Sequence, residues 1–227
     1  MKFDIITIFP DLFKGFLDES LLARAQKKKL IRLTTHDLRR WTTDKHKTVD
    51  DRPYGGGAGM VLKVEPIYKA VTTLRRASLA QGLRKQNRSR TILLSAKGKT
   101  FTQKDARRLA KYNQLIFICG RYEGVDERVA KHVADEEISI GDYVLFGGEV
   151  AAMVIVEAVS RLIPGVVQKE ESIKNESFSD KEAKVKEYPQ YTRPETFVLN
   201  GKKLKVPKVL LSGNHTEIKK WRKERSK

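Results

Sequence analysis

Glycine falls in three dense blocks along the chain: DDRPYGGGAGM (50–60), CGRYEGVDERV (119–129) and SIGDYVLFGGEV (139–150). Glycine loses more freedom on ordering than any other residue, so clusters of it mark loops that bend sharply or approach a ligand closely. The second and third blocks directly follow the apolar runs LIFICG and EEISIG, which read as strands. In open α/β sheets the crevice at the carboxyl ends of the strands is where ligands bind. Two such loops in one chain point to a nucleotide-like cofactor.

The rest of the pattern supplies the sheet. KFDIITIF (2–9) reads as a β-branched strand, and Pro10-Asp11 opens a helix with Leu12, Phe13, Phe16, Leu21 and Leu22 on its apolar side. IRLTTHDL (31–38) is a second strand, followed by a polar, glycine-ended stretch too long for an idle connection. A helix from Glu65-Pro66 to about Leu83 leads through a basic, exposed link (84–90) to TILLSAKGK, strand then loop. TQKDARRLAKY is a helix, QLIFICG a strand, GVDERVAKHV a short amphipathic helix and EEISIG a strand. GGEVAAMVIVEAVSRLIP is a long apolar helix closed by Pro164-Gly165. Strand and helix alternate, so an α/β fold with a mainly parallel sheet is expected.

Composition then shifts. Residues 167–187 are rich in charge and serine and poor in core formers, which marks a linker or mobile loop. Residues 188–227 read as a small, mostly helical domain with a short strand at LKVPKVLLS and a last helix HTEIKKWRKERSK; from Asn200 to Lys227 it carries ten Lys/Arg against two acids. The expected division is therefore 1–166, 167–187 and 188–227. Over the whole chain 46 Lys/Arg face 28 acids, a net charge of +18, which favours a polyanionic partner through counterion release. Cys119 alone rules out an internal disulfide and a cysteine-based metal cluster, and reads as a small buried strand residue. No apolar run approaches the roughly 20 residues of a membrane span. Acids interrupt the first residues where a signal peptide stays uncharged, so a cytoplasmic protein is expected.

Neither GxGxxG after the first strand nor GxxxxGK[ST] is present, and HExxH is absent. The four histidines are scattered, so no metal site is expected from them.

Six blocks taken together, DDRPYGGGAGM, CGRYEGVDERV, SIGDYVLFGGE, SRLIPGV, YPQYTRPE and LLSGNHTEIKKWR, resemble the bacterial tRNA (guanine-N1)-methyltransferases, in the same order from first strand to last helix. That resemblance implies the SPOUT class, with a trefoil-knotted cofactor site, and S-adenosylmethionine as methyl donor. It implies tRNA as partner, with the guanosine at position 37, preceded by another guanosine, as acceptor. It further implies a homodimer with active sites between subunits, and a magnesium requirement. The implied cofactor residues are Ala96, Gly120, Ile140, Gly141, Asp142, Tyr143, Val144, Leu145, Gly147 and Gly148. Those implied to meet tRNA are Asp51, Gly59, His215, Lys219, Lys220 and Arg222.

Methylation at guanine N1 needs a base for the N1 proton and a cation for the charge that grows on O6. Arg161, near the end of a helix apolar on almost every side, is the candidate cation; its bland reading is an i,i+4 pair with Glu157. By resemblance the base lies in the segment after that helix, where the family has aspartate before Ser-Phe. Here Glu176-Ser177-Phe178 stands at the matching distance, fifteen residues after Arg161, with Asp180 as the alternative. Glu123 is a candidate for orienting cofactor or substrate, or a helix cap. The chain departs from the family further at Ala96, where proline is usual, and by stopping soon after the tail helix. Two other readings are a knotted enzyme acting on a ribose 2′-hydroxyl and a non-catalytic RNA-binding module. The YPQYTRPE and SGNH blocks count against the first of these.

Overall fold

A computed structural model describes residues 1–80, 88–168, 176–178 and 186–226. The chain divides into two compact units, Met1–Gln168 and Lys169–Lys227.

The first unit holds the expected mainly parallel sheet. Its strands are β1 (Lys2–Thr7), β2 (Arg32–Asp37), β5 (Ser89–Thr100), β6 (Gln114–Cys119) and β7 (Glu136–Ser139), in the spatial order β2-β1-β6-β5-β7. Every pairing is parallel, so all five carboxyl ends lie along one edge. Two short strands, β3 (Asp50–Asp51) and β4 (Val61–Leu62), form an antiparallel pair outside the sheet, at the two ends of the glycine-rich stretch. Ser89 and Arg90, expected in an exposed link, belong to β5 instead; residues 81–87 lie outside the described residues.

Strand alternation builds two cores. Phe3 and Ile5, Ile92 and Leu94, and Leu115, Phe117 and Cys119 face one side, against α2 (Ser20–Lys27), α4 (Gln103–Leu109) and α6 (Glu149–Ser160). Ile6, Leu93, Ile116 and Ile118 face the other, against α3 (Val64–Ala80) and α5 (Glu127–His132). Burial on both faces is why β6 reads as an uninterrupted apolar run.

Two elements depart from expectation. The helix opened by Pro10 becomes a 3₁₀ turn (Pro10–Phe13), α1 (Lys14–Asp18) and then α2, because Glu19 is extended (φ −121°, ψ 165°). The break re-aims α2 so that Leu22 and Ala25 enter the core while Leu21 stays exposed. The apolar helix ends at Ser160, short of the expected Pro164, and Arg161 is its C-cap.

One charge is buried in the sheet. Asp4, fully buried, accepts from His36 Nε2 (2.8 Å) and Gln114 Nε2 (2.7 Å) and pairs with Lys2 Nζ (3.1 Å). Burial pushes its carboxyl up, but the His36 and Gln114 hydrogen bonds and the Lys2 charge outweigh it and hold it below the ordinary value.

The second unit carries an antiparallel hairpin, β8 (Thr196–Leu199) with β9 (Lys202–Lys205). Its loop is Asn200-Gly201, both at positive φ, the strongest short-range hairpin signal a sequence offers. Of the expected strand LKVPKVLLS only Leu204 and Lys205 lie in β9, and Lys208–Leu211 is helical. The tail helix runs His215–Arg225, capped by the Asn214 side chain, which accepts from the amides of Thr216 and Glu217. Arg222 stacks on Tyr188 at 4.8 Å, and Trp221 packs against Tyr191 at 6.3 Å. Side chains of the YPQY block thus clasp this helix.

Candidate active site

The carboxyl ends of β5, β6 and β7 open into one cavity of about 250 Å³. β5 ends its first pairing at Leu94, opposite Ile138; Ser95–Gly98 then loop out, and the strand resumes with Lys99 opposite the same Ile138. Gly98 makes the return fit, since a Cβ there would lie 2.5 Å from the Ile138 amide nitrogen. β6 runs into Gly120, and β7 into Ile140 and Gly141.

Each loop is tied back to the scaffold. Ser139 Oγ donates to the Gly141 carbonyl (2.9 Å) and accepts from the Gly141 amide (3.2 Å). Gly141 itself sits at φ +154°, a region L side chains rarely adopt, and a Cβ there would run into the Tyr143 ring. Tyr143 folds back over it, its hydroxyl donating to the Ile140 carbonyl (3.3 Å). The Gly148 amide donates to the Gly120 carbonyl (3.0 Å), which seams the β6 loop to the start of α6.

Of the ten residues expected to meet the cofactor, nine line this cavity: Ala96, Gly120, Ile140, Gly141, Tyr143, Val144, Leu145, Gly147 and Gly148. Asp142 is exposed and does not line it. Glu123 lines it too and is exposed. The first glycine block reaches the same rim. The Glu123 amide donates to the Met60 carbonyl (3.1 Å) and Leu62 exchanges backbone bonds with Gly124 and Asp126. Gly59, at φ +81°, leaves room for the Glu123 side chain, 2.7 Å from where a Cβ would stand. Asp51 lies at the base of that block, exposed and paired with Lys63 at 3.4 Å.

Arg161 is not brought to the cavity of its own chain. Ala151 is the last residue of α6 that lines it, and ten residues of helix place Arg161 about 15 Å further along the axis. His215, Lys219, Lys220 and Arg222 all lie on the tail helix of the second unit. Glu176 belongs to the second unit as well, and Asp180 lies outside the described residues. No three His, Cys, Asp or Glu among the described residues stand where they could hold a metal ion.

Sequence reading missed the ion pair beneath the cavity. Glu149, the first residue of α6 and 1% exposed, accepts from Arg121 Nε (2.9 Å) through one oxygen and from Thr7 Oγ (2.7 Å) through the other. Thr7 Oγ in turn accepts from the Phe9 amide (2.9 Å), and the Arg121 guanidinium lies 4.7 Å over the Phe9 ring. Arg121 itself lines the cavity. Beside the pair, burial first and then the Glu149 charge push the Cys119 thiol well up, so it stays protonated and serves packing.

A parallel α/β sheet with a glycine-walled cleft at its strand ends defines a ligand-binding protein of the nucleotide-cofactor kind. The comparisons narrow this. The family model described as tRNA (Guanine-1)-methyltransferase TrmD matches residues 1–227. A curated tRNA (guanine-N(1)-)-methyltransferase of Carboxydothermus hydrogenoformans is 53% identical over 100% of this chain and 83% of its own length. Proteins of the same name from Dictyoglomus turgidum (53%; 99% of this chain, 84% of the relative) and Anoxybacillus flavithermus (49%; 100% and 86%) are similarly alike. The chain belongs to the tRNA (guanine-1)-methyltransferase family, whose chemistry implies use of S-adenosylmethionine.

Proposed function

We propose that this chain transfers a methyl group from S-adenosylmethionine to N1 of the guanosine at tRNA position 37, giving 1-methylguanosine. The observation that carries the reading is the strand-end cavity, walled by loops from β5, β6 and β7, in a chain that matches the methyltransferase family over its full length.

The cavity suits the donor. Its glycines admit a ligand close to backbone amides and carbonyls, and Ile140, Val144 and Leu145 offer apolar walls. In a chain of net charge +18, the lining carries Glu123, Glu127 and Glu137 against Lys97 and Arg121, a local reversal of sign that favours a cationic ligand. Bound there, S-adenosylmethionine supplies an electrophilic methyl group on a sulfonium. Glu176 takes the N1 proton and Arg161 receives the charge on O6, while Glu123 orients the reactants from the rim. Asp51 and Gly59 shape the loop that meets the nucleoside, and His215, Lys219, Lys220 and Arg222 engage the tRNA backbone. Asp142, between Gly141 and Tyr143 in sequence, belongs to the same cofactor loop.

The trefoil knot of the SPOUT class is part of this reading, with Ser95–Gly98, the loop after β6 and the loop after β7 as its crossings. So is the division into a methyltransferase domain (1–166), a linker (167–187) and a basic tRNA-binding domain (188–227). A homodimer is supported by α6. Its buried stripe includes Ala152, Ile155, Val156 and Val159, yet Val150 and Val154, one turn apart, are exposed, as are Val144 and Phe146 (95%) just before it. Pairing two subunits there would supply each cavity with groups its own chain holds at a distance, Arg161 among them. No helix among the described residues is long and apolar enough to cross a membrane, which accords with a cytoplasmic place beside tRNA. Magnesium rests on the resemblance alone.

The test is methyl transfer to paired tRNA transcripts with guanosine or adenosine at position 37, read by nucleoside mass spectrometry. 1-Methylguanosine should form on the first only. Equal methylation of both would overturn the assignment.

A further inference from the structure

We propose that Arg121 and Glu149, anchored by Thr7, form a positioning device that sets the width of the cofactor cavity; this rests on the reading that the cavity takes S-adenosylmethionine. A buried ion pair is a poor way to gain stability, because desolvation consumes most of the Coulombic gain. Its place explains it better. Arg121 follows Gly120 and lines the cavity with it, while Glu149 stands directly behind the Gly148 wall, so the pair joins the β6 loop to the start of α6. Thr7 adds the carboxyl end of β1, and through Phe9 the turn that follows it.

The geometry leaves the pair little slack. Both Glu149 oxygens are used, one by Arg121 and one by Thr7. The Arg121 backbone bridges to Gly147, and a Cβ on Gly147 would collide with Arg121 Nε and stand 2.7 Å from Glu149 Oε2. Glycine at 147 thus lets the pair close against the loop it holds. Glu149 also sits in the first turn of α6, where the helix dipole favours a carboxylate and fixes its position. Thr7 and Glu149, which do not line the cavity, therefore act on it through Gly120, Gly147, Gly148 and the Arg121 side chain that they hold in place.

The experiment compares wild type, Arg121→Gln, Glu149→Gln and the double variant, with thermal melts to confirm that each is folded at the assay temperature. Calorimetric binding of S-adenosylmethionine and turnover at saturating donor are the readouts. Each single change should weaken donor binding at least about tenfold, as misplacement of a wall does. Turnover at saturating donor should stay within about threefold. In the double variant two neutral amides can hydrogen-bond each other and restore the link, so its loss should not exceed that of the worse single variant. Losses that add would show Arg121 contacting the ligand itself, and unchanged affinity in folded single variants would overturn the proposal outright. Should a single variant fail to fold, Thr7→Val, which removes the Oε1 anchor and the acceptor of the Phe9 amide but keeps both members of the ion pair, must still weaken binding several-fold; normal affinity there overturns it too. Wild-type protein that binds no S-adenosylmethionine would sink the cofactor reading and this inference with it, an outcome distinct from equal affinities across the series.

Discussion

Replacing Gly148 by alanine adds a single methyl group at the point where α6 meets the end of β6. The backbone there (φ −80°, ψ −6°) is ordinary for any residue, so no torsional strain enters and the effect is steric alone. The new Cβ would stand 2.9 Å from Cys119 Cα, 3.1 Å from Leu94 Cβ and 3.3 Å from Cys119 Cβ. Carbon atoms prefer about 3.5–4.0 Å, so the start of α6 must retreat by roughly 0.6–1 Å. The nearest obstacle is the backbone of a central strand, which cannot turn aside as a side chain can. Overpacking of this kind costs about 1–3 kcal/mol. For a chain of this size that lowers Tm by roughly 2–4 °C per kcal/mol, hence about 2–12 °C in all. The same retreat stretches the Gly148–Gly120 hydrogen bond of 3.0 Å and moves two cavity walls, so S-adenosylmethionine should bind at least about tenfold more weakly. Circular dichroism melts and titration calorimetry measure the two effects. Gly15→Ala is the control: it lies in α1 with nothing within 4 Å, and alanine there should be neutral or mildly stabilising. If Gly148→Ala keeps both the wild-type Tm and the wild-type affinity, the seam does not set the cavity and the reasoning fails.

Glu176→Gln and Arg161→Ala should each depress turnover by about 10²-fold or more with little change in donor affinity, because both are proposed to act on the transition state. Near-normal turnover in Glu176→Gln beside a large loss in Asp180→Asn would move the base to Asp180. Glu136, bonded by Arg108 (2.7 Å) and Arg90 (3.0 Å), is pushed up by burial but held below its ordinary 4.5 by these arginines. The sign follows: its contribution is full above pH 4.5 and is lost as pH falls through the lower, folded value, so wild-type Tm should drop more steeply in acid than that of Glu136→Gln. Parallel melting profiles would remove Glu136 from the account. Sedimentation should give a dimer for wild type and a shift toward monomer for Val154→Asp at micromolar concentration; a fully active wild-type monomer would contradict the dimer.

What could be read from the sequence follows from where its signals are local. LIFIC announces a doubly buried strand, and the glycines after β6 and β7 announce tight loops. Parallel pairing then brings their carboxyl ends together, which is why loops 20 residues apart in sequence enclose one cavity. The Asn200-Gly201 turn is an equally local signal, and it sets the β8–β9 hairpin. Asp4, Arg121 and Glu149 were not legible, because nothing near them in sequence says what they meet. Thr7 and Glu149 stand 142 residues apart and touch only because β1 and α6 pack on each other. A trace existed all the same: a charge just inside the apolar helix EVAAMVIV and another just past the strand LIFIC are costly places unless each answers the other.

That trace separates two kinds of site residue in this chain. The cofactor cavity needs backbone shape, and shape is written in glycines whose spacing can be read directly. The proposed catalytic pair would need a carboxylate and a guanidinium delivered to one nucleobase, and no local rule fixes where those side chains must come from. Arg161 caps a helix about 15 Å beyond the last cavity residue, so the chain's own fold withholds it from its own cavity. An apolar helix with an exposed valine stripe is the element that a second subunit would cover. The two observations thus call for the same remedy, since the proposed pairing along α6 would bury Val150 and Val154 and would carry Arg161 to a partner's cavity. Mixed dimers test this directly: subunits carrying Arg161→Ala paired with subunits carrying Gly141→Val should regain one active site per mixed dimer, up to half the wild-type activity, if Arg161 serves across the interface. They should stay inactive if each subunit uses its own, and that result would return Arg161 to a structural cap.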